Sequence, residues 1–208
     1  MKILIADDHA ILRKGLKEIL LEQYPSAFIE EVGDADSLFK KSITSEWDVV
    51  ITDLSMPGRS GLEALREIKQ HSPKMPILVL SIYPEDQYAT RVLKAGASGY
   101  INKDAAPTEL VKAVQKVLLG RKYITPTIAE KLANDLGADS DKAPHELLTD
   151  REFDVMKMLA SGRAIIDIAD TLSLSPTTIS TYRSRILEKM NLKSNADLTK
   201  YALQNKLI

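Results

Sequence analysis

The 208-residue chain contains no cysteine, which excludes disulfide staples, thiolate metal sites and cysteine nucleophiles. Aromatic residues make up only 5%, and no apolar run approaches the roughly 20 residues that a membrane-spanning helix needs. The first residues enter an apolar, strand-like segment without a signal-peptide pattern, so a cytoplasmic protein with no membrane partner is expected. An excess of either charge is lacking as well, with 28 Lys+Arg against 29 Asp+Glu. What is present is ordinary globular material, 44% hydrophobic and 27% charged, in a length that suits one or two domains. The charge is balanced across residues 1–122 but not along 176–193. There Arg183, Arg185, Lys189 and Lys193 face only Glu188, which focuses positive charge where a polyanion can meet it.

The most informative stretch is Asp48-Val-Val-Ile-Thr-Asp53-Leu-Ser-Met-Pro57-Gly58. Its short β-branched apolar run reads as a strand buried on both faces. The run stops at Asp53, and Pro57-Gly58 turns the chain away. In an open parallel α/β sheet that end of the strands is where ligands bind. A second apolar run, Lys2-Ile-Leu-Ile-Ala6, is followed directly by Asp7-Asp8; a third, Pro76-Ile-Leu-Val-Leu-Ser81, ends in a hydroxyl; a fourth, Gly99-Tyr-Ile-Asn-Lys103, ends in an ammonium. Three carboxylates in one pocket repel, and a hard divalent cation such as Mg²⁺ relieves them with an octahedral set of oxygens.

Residues 2–120 alternate such strands (near 2–6, 27–32, 48–53, 76–81 and 99–102) with helical periods near 10–22, 35–43, 61–71, 86–95 and 107–119. Five strands and five helices predict one doubly wound domain on a five-stranded parallel sheet. His9 reads as a helix-start residue beside the acids, with a metal ligand as the alternative.

Ile5-Ala-Asp-Asp-His9, Asp53 with Met56-Pro57-Gly58, Ser81, and Ala95-Gly-Ala-Ser-Gly-Tyr-Ile-Asn-Lys103 match in order and spacing the receiver pattern of response regulators of the NarL/FixJ type, and the chain resembles that family. The resemblance implies a flavodoxin-like receiver in which Asp53 accepts a phosphoryl group. Mg²⁺ is then held by Asp8 and Asp53, with Asp7 and the Ser55 backbone carbonyl beside it. It also implies that Ser81 and Lys103 contact the phosphoryl oxygens, and that Tyr100 turns inward with Ser81 on phosphorylation. Asp104 stands where many receivers carry proline, and no cis bond is expected before it.

After residue 122 the pattern changes. Residues 126–136 read as a short helix within a linker spanning 123–145, and Gly137-Ala-Asp-Ser-Asp-Lys-Ala-Pro144 reads as a flexible connector. From 146 to 208 the chain is helical. Thr149 with Glu152 forms a capping-box pattern, Gly162 ends the helix that it opens, and Ser175-Pro176 starts another that runs to about Met190. The tight turn before Pro176 reads as a helix-turn-helix, whose second helix enters the major groove. Leu148-Thr-Asp-Arg-Glu152, Leu159-Ala-Ser-Gly162, Ile168-Ala169, Leu172, Leu174-Ser175, Thr178-Ile179 and Ile186 with Lys189-Met190 resemble the LuxR-type DNA-binding domain, implying an all-α four-helix module. Departures stand at Ile165 and Ile166, where the family is usually polar, at Ser180 in place of lysine, and at Tyr182 in place of histidine. Thr178, Thr181, Tyr182, Arg183, Arg185 and Lys189 are the expected DNA contacts.

The sequence therefore predicts a receiver over 1–122, a linker over 123–145 and a helix-turn-helix domain over 146–208. The expected partners are a sensor histidine kinase and double-stranded DNA, with a homodimer as the active form. No enzyme activity is expected beyond phosphoryl acceptance and self-dephosphorylation at Asp53. A phosphatase of the haloacid-dehalogenase kind also uses a strand-end aspartate and Mg²⁺, but it needs a second acid two residues on, where this chain has Ser55. A degenerate receiver that works without phosphorylation is the other alternative, and the intact Asp7, Asp8, Asp53, Ser81 and Lys103 set argues against it.

Overall fold

A computed structural model of the chain describes residues 1–56, 60–137 and 143–208, with the backbone alone for 134–137. The expected Pro57-Gly58 turn and most of the expected Gly137–Pro144 connector lie outside the described residues. The chain divides into two compact units, residues 1–138 and 139–208.

The first unit runs β1 (Lys2–Ala6), α1 (Ala10–Gln23), β2 (Phe28–Val32), α2 (Ala35–Thr44), β3 (Val49–Asp53), α3 (Gly61–His71), β4 (Ile77–Ser81), α4 (Glu85–Lys94), β5 (Gly99–Asn102), a 3₁₀ turn (Lys103–Ala105), α5 (Ala106–Leu118) and α6 (Pro126–Gly137). The strands form one parallel sheet in the order β2-β1-β3-β4-β5. Every residue of β3 and β4 is buried, which is why these strands read as unbroken apolar runs rather than as alternations. One face packs Ile3, Ile5, Val49, Ile51, Leu78 and Leu80 against Leu16 and Leu20 of α1 and Leu110, Val114 and Val117 of α5. The alternate strand positions point to the other face, where α2, α3 and α4 bury Leu38, Leu65 and Val92. β2 is an edge strand and carries charge there: Glu30 pairs with Lys41, and Glu31 with Lys17, which blunts edge-to-edge pairing.

The register decides where chemistry gathers. Ala6 pairs with Thr52, Asp53 with Leu80, and Ser81 with Asn102, so the strands end nearly flush and their terminal residues share one sheet edge. The start of α3 closes against that edge. Ser60 and Glu63 form a reciprocal capping box, and Gly61 donates its N–H to the Leu54 carbonyl at 3.0 Å. A Cβ on Gly61 would fall 1.8 Å from the Asp53 carbonyl oxygen, so no larger residue lets the helix approach this closely.

The sequence reading ended its first domain at 122. In the structure the chain goes on packing against the same unit. Tyr123 forms a parallel bridge with Gly99 on the outer side of β5, and α6 buries Ile128 to 2% exposure against α4.

The second unit holds a 3₁₀ turn (Pro144–Leu147) and four helices, α7 (Asp150–Ala160), α8 (Ile165–Leu172), α9 (Pro176–Lys189) and α10 (Asn195–Gln204). The capping box of Thr149 with Glu152 is formed, and Gly162 takes a left-handed φ of 81° just past α7. Ser173 ends α8 in the left-handed region at φ 53°. Ser175 then caps α9 by accepting from the Thr178 N–H, which makes the turn between the two helices tight. Phe153, Met156, Ile168, Ile179, Ile186 and Leu198 fill the core. No helix among the described residues is long and apolar enough to cross a membrane.

Candidate functional site

At the C-terminal edge of the sheet, Asp53 is 1% exposed and Asp7 also 1%. The Lys103 ammonium lies 2.7 Å from Asp53 Oδ2 and 2.7 Å from Asp7 Oδ2, so one cation bridges two acids that reach it from different strands. Burial is the largest influence on Asp53 and pushes its carboxyl up; Lys103 works against it and does not overcome it. Burial alone would lower the Lys103 pKa, but its hydrogen bonds to Asp53 and Asp7 outweigh that and hold the ammonium above its ordinary value. A buried acid that is costly to ionise beside further acids has room for more positive charge than one lysine brings.

The ligating atoms of Asp7, Asp8, His9 and Asp53 all lie within 4.8 Å of one another. Asp53 Oδ1 is buried and takes no hydrogen bond of normal geometry from the described residues, the Ser55 backbone N–H being the smallest of the influences on this carboxyl, as expected of an oxygen kept for a ligand. The carboxylate set suits a hard cation. His9 is the N-cap of α1, the helix-start position read from the sequence, and its Nδ1 also lies 2.8 Å from Asp8 Oδ1 and 3.1 Å from Asp7 Oδ1. Ser55 stands in the loop two residues past Asp53, half-buried. Arg13, which the sequence reading passed over, donates from Nη1 to the Asp7 carbonyl at 2.5 Å and reaches toward Glu31 at 3.8 Å, tying the ends of β1 and β2. Its only signal in sequence was a position one turn into the helix after the acids.

Ser81 is fully buried and its Oγ accepts the Tyr83 N–H at 3.2 Å. Tyr100 is also fully buried. Its ring lies inward, and its hydroxyl donates to the Tyr83 carbonyl at 2.6 Å. Burial pushes the Tyr100 phenol well above its ordinary value, with the Ser81 hydroxyl acting in the opposite direction. Beside Lys103 and His9 an apolar groove of about 500 Å³ opens, lined by Ile11, Leu12, Ile82 and Ala106 among others; Ile11 is 91% exposed.

In the second unit the expected contact residues of α9 divide into three groups. Thr181 and Arg185 are exposed, and the Arg185 side chain has no hydrogen bond or ion pair among the described residues. Thr177, Ser180 and Ser184, none of them among the expected contacts, complete the same outward stripe. The i, i+3/i+4 spacing of its solvent face was the signal for it. Thr178 and Tyr182 are half-buried, and the Thr178 hydroxyl is 2.8 Å from that of the N-cap Ser175. Arg183 instead donates from Nε to Asn195 Oδ1 at 2.7 Å. Lys189 is bound to Glu152 at 2.7 Å, and Glu152 is only 3% exposed. Both cations therefore find partners within their own unit, because Glu152 lies on α7, which packs against α9, and Asn195 is the first residue of α10, the next helix in the chain.

The profile of the response regulator receiver domain matches residues 3–115, and that of bacterial regulatory proteins of the luxR family matches residues 146–202. The chain is 34% identical over 208 residues to the response regulator UvrY of Escherichia coli (strain K12), covering 100% of this chain and 95% of that one. It is 37% identical over 215 residues to the oxygen regulatory protein NreC of Staphylococcus carnosus (strain TM300), covering 100% and 99%. Among solved structures, RcsB from Salmonella enterica serovar Typhimurium, bound to promoter rprA in the presence of the phosphomimetic BeF3⁻, matches with a TM-score of 0.64 at 29% identity, covering 97% of this chain and 98% of that one. With the strand-end acids and lysine in one unit and the helix-turn-helix in the other, the chain belongs to the two-component response regulators of the NarL/FixJ type, a receiver domain joined to a LuxR-type helix-turn-helix domain.

Proposed function

We propose that Asp53 accepts a phosphoryl group from a sensor histidine kinase, and that the LuxR-type domain carries the resulting signal to double-stranded DNA. The observation that carries this reading is a buried Asp53 with one oxygen on Lys103 and the other without a partner among the described residues. A carboxylate oxygen forms the O–P bond while the donor's P–N bond breaks; the electron pair leaves with the donor imidazole, which takes a proton from solvent. Asp7, Asp8, Asp53 and the Ser55 carbonyl would hold Mg²⁺, which when bound supplies charge neutralisation to the phosphoryl oxygens. Lys103 pairs with one of those oxygens and Ser81 donates its hydroxyl to another, so positioning and electrostatics supply most of the rate. The apolar groove beside Lys103 supports a protein donor, since a small phosphodonor has no use for the exposed Ile11. Water attack on the acyl phosphate returns Asp53 to its starting state, and no other reaction is assigned to the protein. The setting is the cytoplasm.

On DNA, the outward stripe Thr177, Ser180, Thr181, Ser184 and Arg185 faces the major groove, flanked by Thr178 and Tyr182. Arg183 and Lys189 brace the helix rather than read the duplex. A homodimer places two such helices about one helical turn apart. The receiver ends near residue 122, and the segment from 123 to 145 joins it to the DNA-binding domain.

With Mg²⁺ and acetyl phosphate, mass spectrometry of the intact chain should show a single phosphoryl group. Label that persists in Asp53→Asn, or that forms equally well in EDTA, would sink the assignment.

A further inference from the structure

Between the phosphoryl site and the chain that leads to the DNA-binding unit runs a series of hydrogen bonds and stacked rings, continued from Tyr83 to Glu85 by the backbone through Pro84. Ser81 Oγ accepts the Tyr83 N–H. The Tyr83 carbonyl accepts from the Tyr100 hydroxyl at 2.6 Å and from Asn102 Nδ2 at 3.5 Å. The Tyr83 ring stacks on Tyr88 of α4, centroids 4.4 Å apart and planes 12° apart. Pro84 is the N-cap of α4 and Glu85 its first residue. The Glu85 carboxylate accepts from Thr125 Oγ1 at 2.9 Å, the same hydroxyl that accepts the Ile128 N–H at 3.3 Å near the start of α6. One turn further on, Lys131 Nζ donates to the Asp86 carbonyl.

The approach to α6 is anchored independently. Tyr123 donates its N–H to the Ser98 carbonyl at 2.8 Å, its hydroxyl donates to Glu109, and Lys116 lies 5.6 Å from its ring centroid. Gly99 makes this possible: a Cβ there would meet the Tyr123 Cβ and carbonyl oxygen at 2.8 Å, so the bridge between β5 and the segment after α5 tolerates no side chain.

We infer that α6 is a clasp on α4 whose grip is set by phosphorylation through the Ser81–Tyr83–Glu85–Thr125 chain, and which thereby sets the length of tether free to the DNA-binding unit. This rests on the assignment of Asp53 as the phosphoryl acceptor. A serine hydroxyl offers one donor and two acceptor sites. When Ser81 donates to a phosphoryl oxygen it still accepts the Tyr83 N–H, now in a fixed orientation, and hydrogen bonds in such a chain strengthen one another. The turn before α4 is ordered, Glu85 is held where Thr125 meets it, and α6 stays docked. Without the phosphoryl group the chain is looser and α6 detaches more often. Each detachment lengthens the tether and lowers the effective concentration of one DNA-binding unit near that of the second copy in the homodimer, roughly as the −3/2 power of length.

Amide hydrogen exchange on the full chain tests this, with and without BeF3⁻ and Mg²⁺. The expected result is slower exchange in both the Ser81–Pro84 turn and α6. Thr125→Val should speed exchange of α6 about fivefold, the effect of one hydrogen bond, and abolish its response to BeF3⁻ while the turn still responds. Thr125→Ser should behave as wild type. Protection of the turn with no change in α6 overturns the clasp and leaves the phosphoryl assignment standing. No change in either segment overturns both.

Discussion

Two lysines mark the contrast between the two units. Lys103 has a side chain 8% exposed and lies between Asp7 and Asp53, both almost fully buried. Lys189 has a side chain 38% exposed and reaches one acid, Glu152. The difference lies in what the partner acid lacks. Glu152 Oε2 also accepts from the Thr149 N–H at 2.8 Å and from the Thr149 hydroxyl at 2.9 Å, so with Lys189 three donors meet on one oxygen and the cluster holds α7 and α9 together. Asp53 keeps a buried oxygen without a partner among the described residues, an arrangement that costs stability unless something else binds there.

The largest effect that would break this comparison is at Lys103. Lys103→Ala should lower the rate of acetyl-phosphate labelling by about 100-fold, as expected for loss of one charge-stabilising donor. The residual phosphorylated protein should also lose its enhanced DNA binding, because the lysine senses the new charge. If the labelled variant shows undiminished stimulation in a gel-shift assay, Lys103 belongs with the architectural pairs.

A smaller effect is expected at Lys189. Lys189→Met leaves Glu152 buried with one partner fewer and should destabilise the second unit by about 1–3 kcal/mol, read as a lowered thermal transition, with the labelling rate unchanged. The same variant alters the response to acid. Burial pushes the Glu152 carboxyl up, but the Lys189 and Thr149 hydrogen bonds outweigh it and hold the carboxyl below its ordinary value. Its stabilising contribution is therefore complete above the ordinary carboxylate range, about 4.3, and is lost as pH falls through the lower folded value. Lys189→Met should flatten that acid loss. A second unit as acid-sensitive as wild type would show that Glu152 is stabilised by something other than the lysine.

The smallest effect separates the two arginines of α9. Arg185→Ala should reduce the salt dependence of DNA binding by roughly one unit of slope if it meets a phosphate, or relax preference at one base pair by about 1–3 kcal/mol if it reads guanine. Arg183→Ala should leave the slope alone and act through stability, since its Nε is bonded to Asn195. Equal slopes for both variants, each below wild type, would return Arg183 to the DNA face.

Much of the fold was legible because its signals are local. Uninterrupted apolar runs marked β1, β3 and β4 to within a residue, and Thr149, Ser175 and Pro176 marked helix starts through backbone groups a few residues away. The acids and Lys103 were legible as a group because a parallel sheet brings every strand's C-terminal end to one edge, whatever lies between the strands. The roles within α9 were not legible. Periodicity separates a polar face from an apolar one, but it cannot tell which cation on the polar side finds an acceptor on a neighbouring helix.

The sequence by itself determined the two-unit plan, the strand and helix succession, and the chemistry that gathers at the sheet edge, since these follow from side-chain polarity and from spacing along the chain. Only the tertiary structure decided that Asp53 keeps a buried oxygen unpaired while three donors converge on one oxygen of Glu152, that Lys189 and Arg183 find partners on other helices, and that residues after 122 fold back onto β5 and α4. Each depends on how close two distant segments come, and that distance is set by close packing of the whole core, as where Gly61 and Gly99 leave no room for a Cβ.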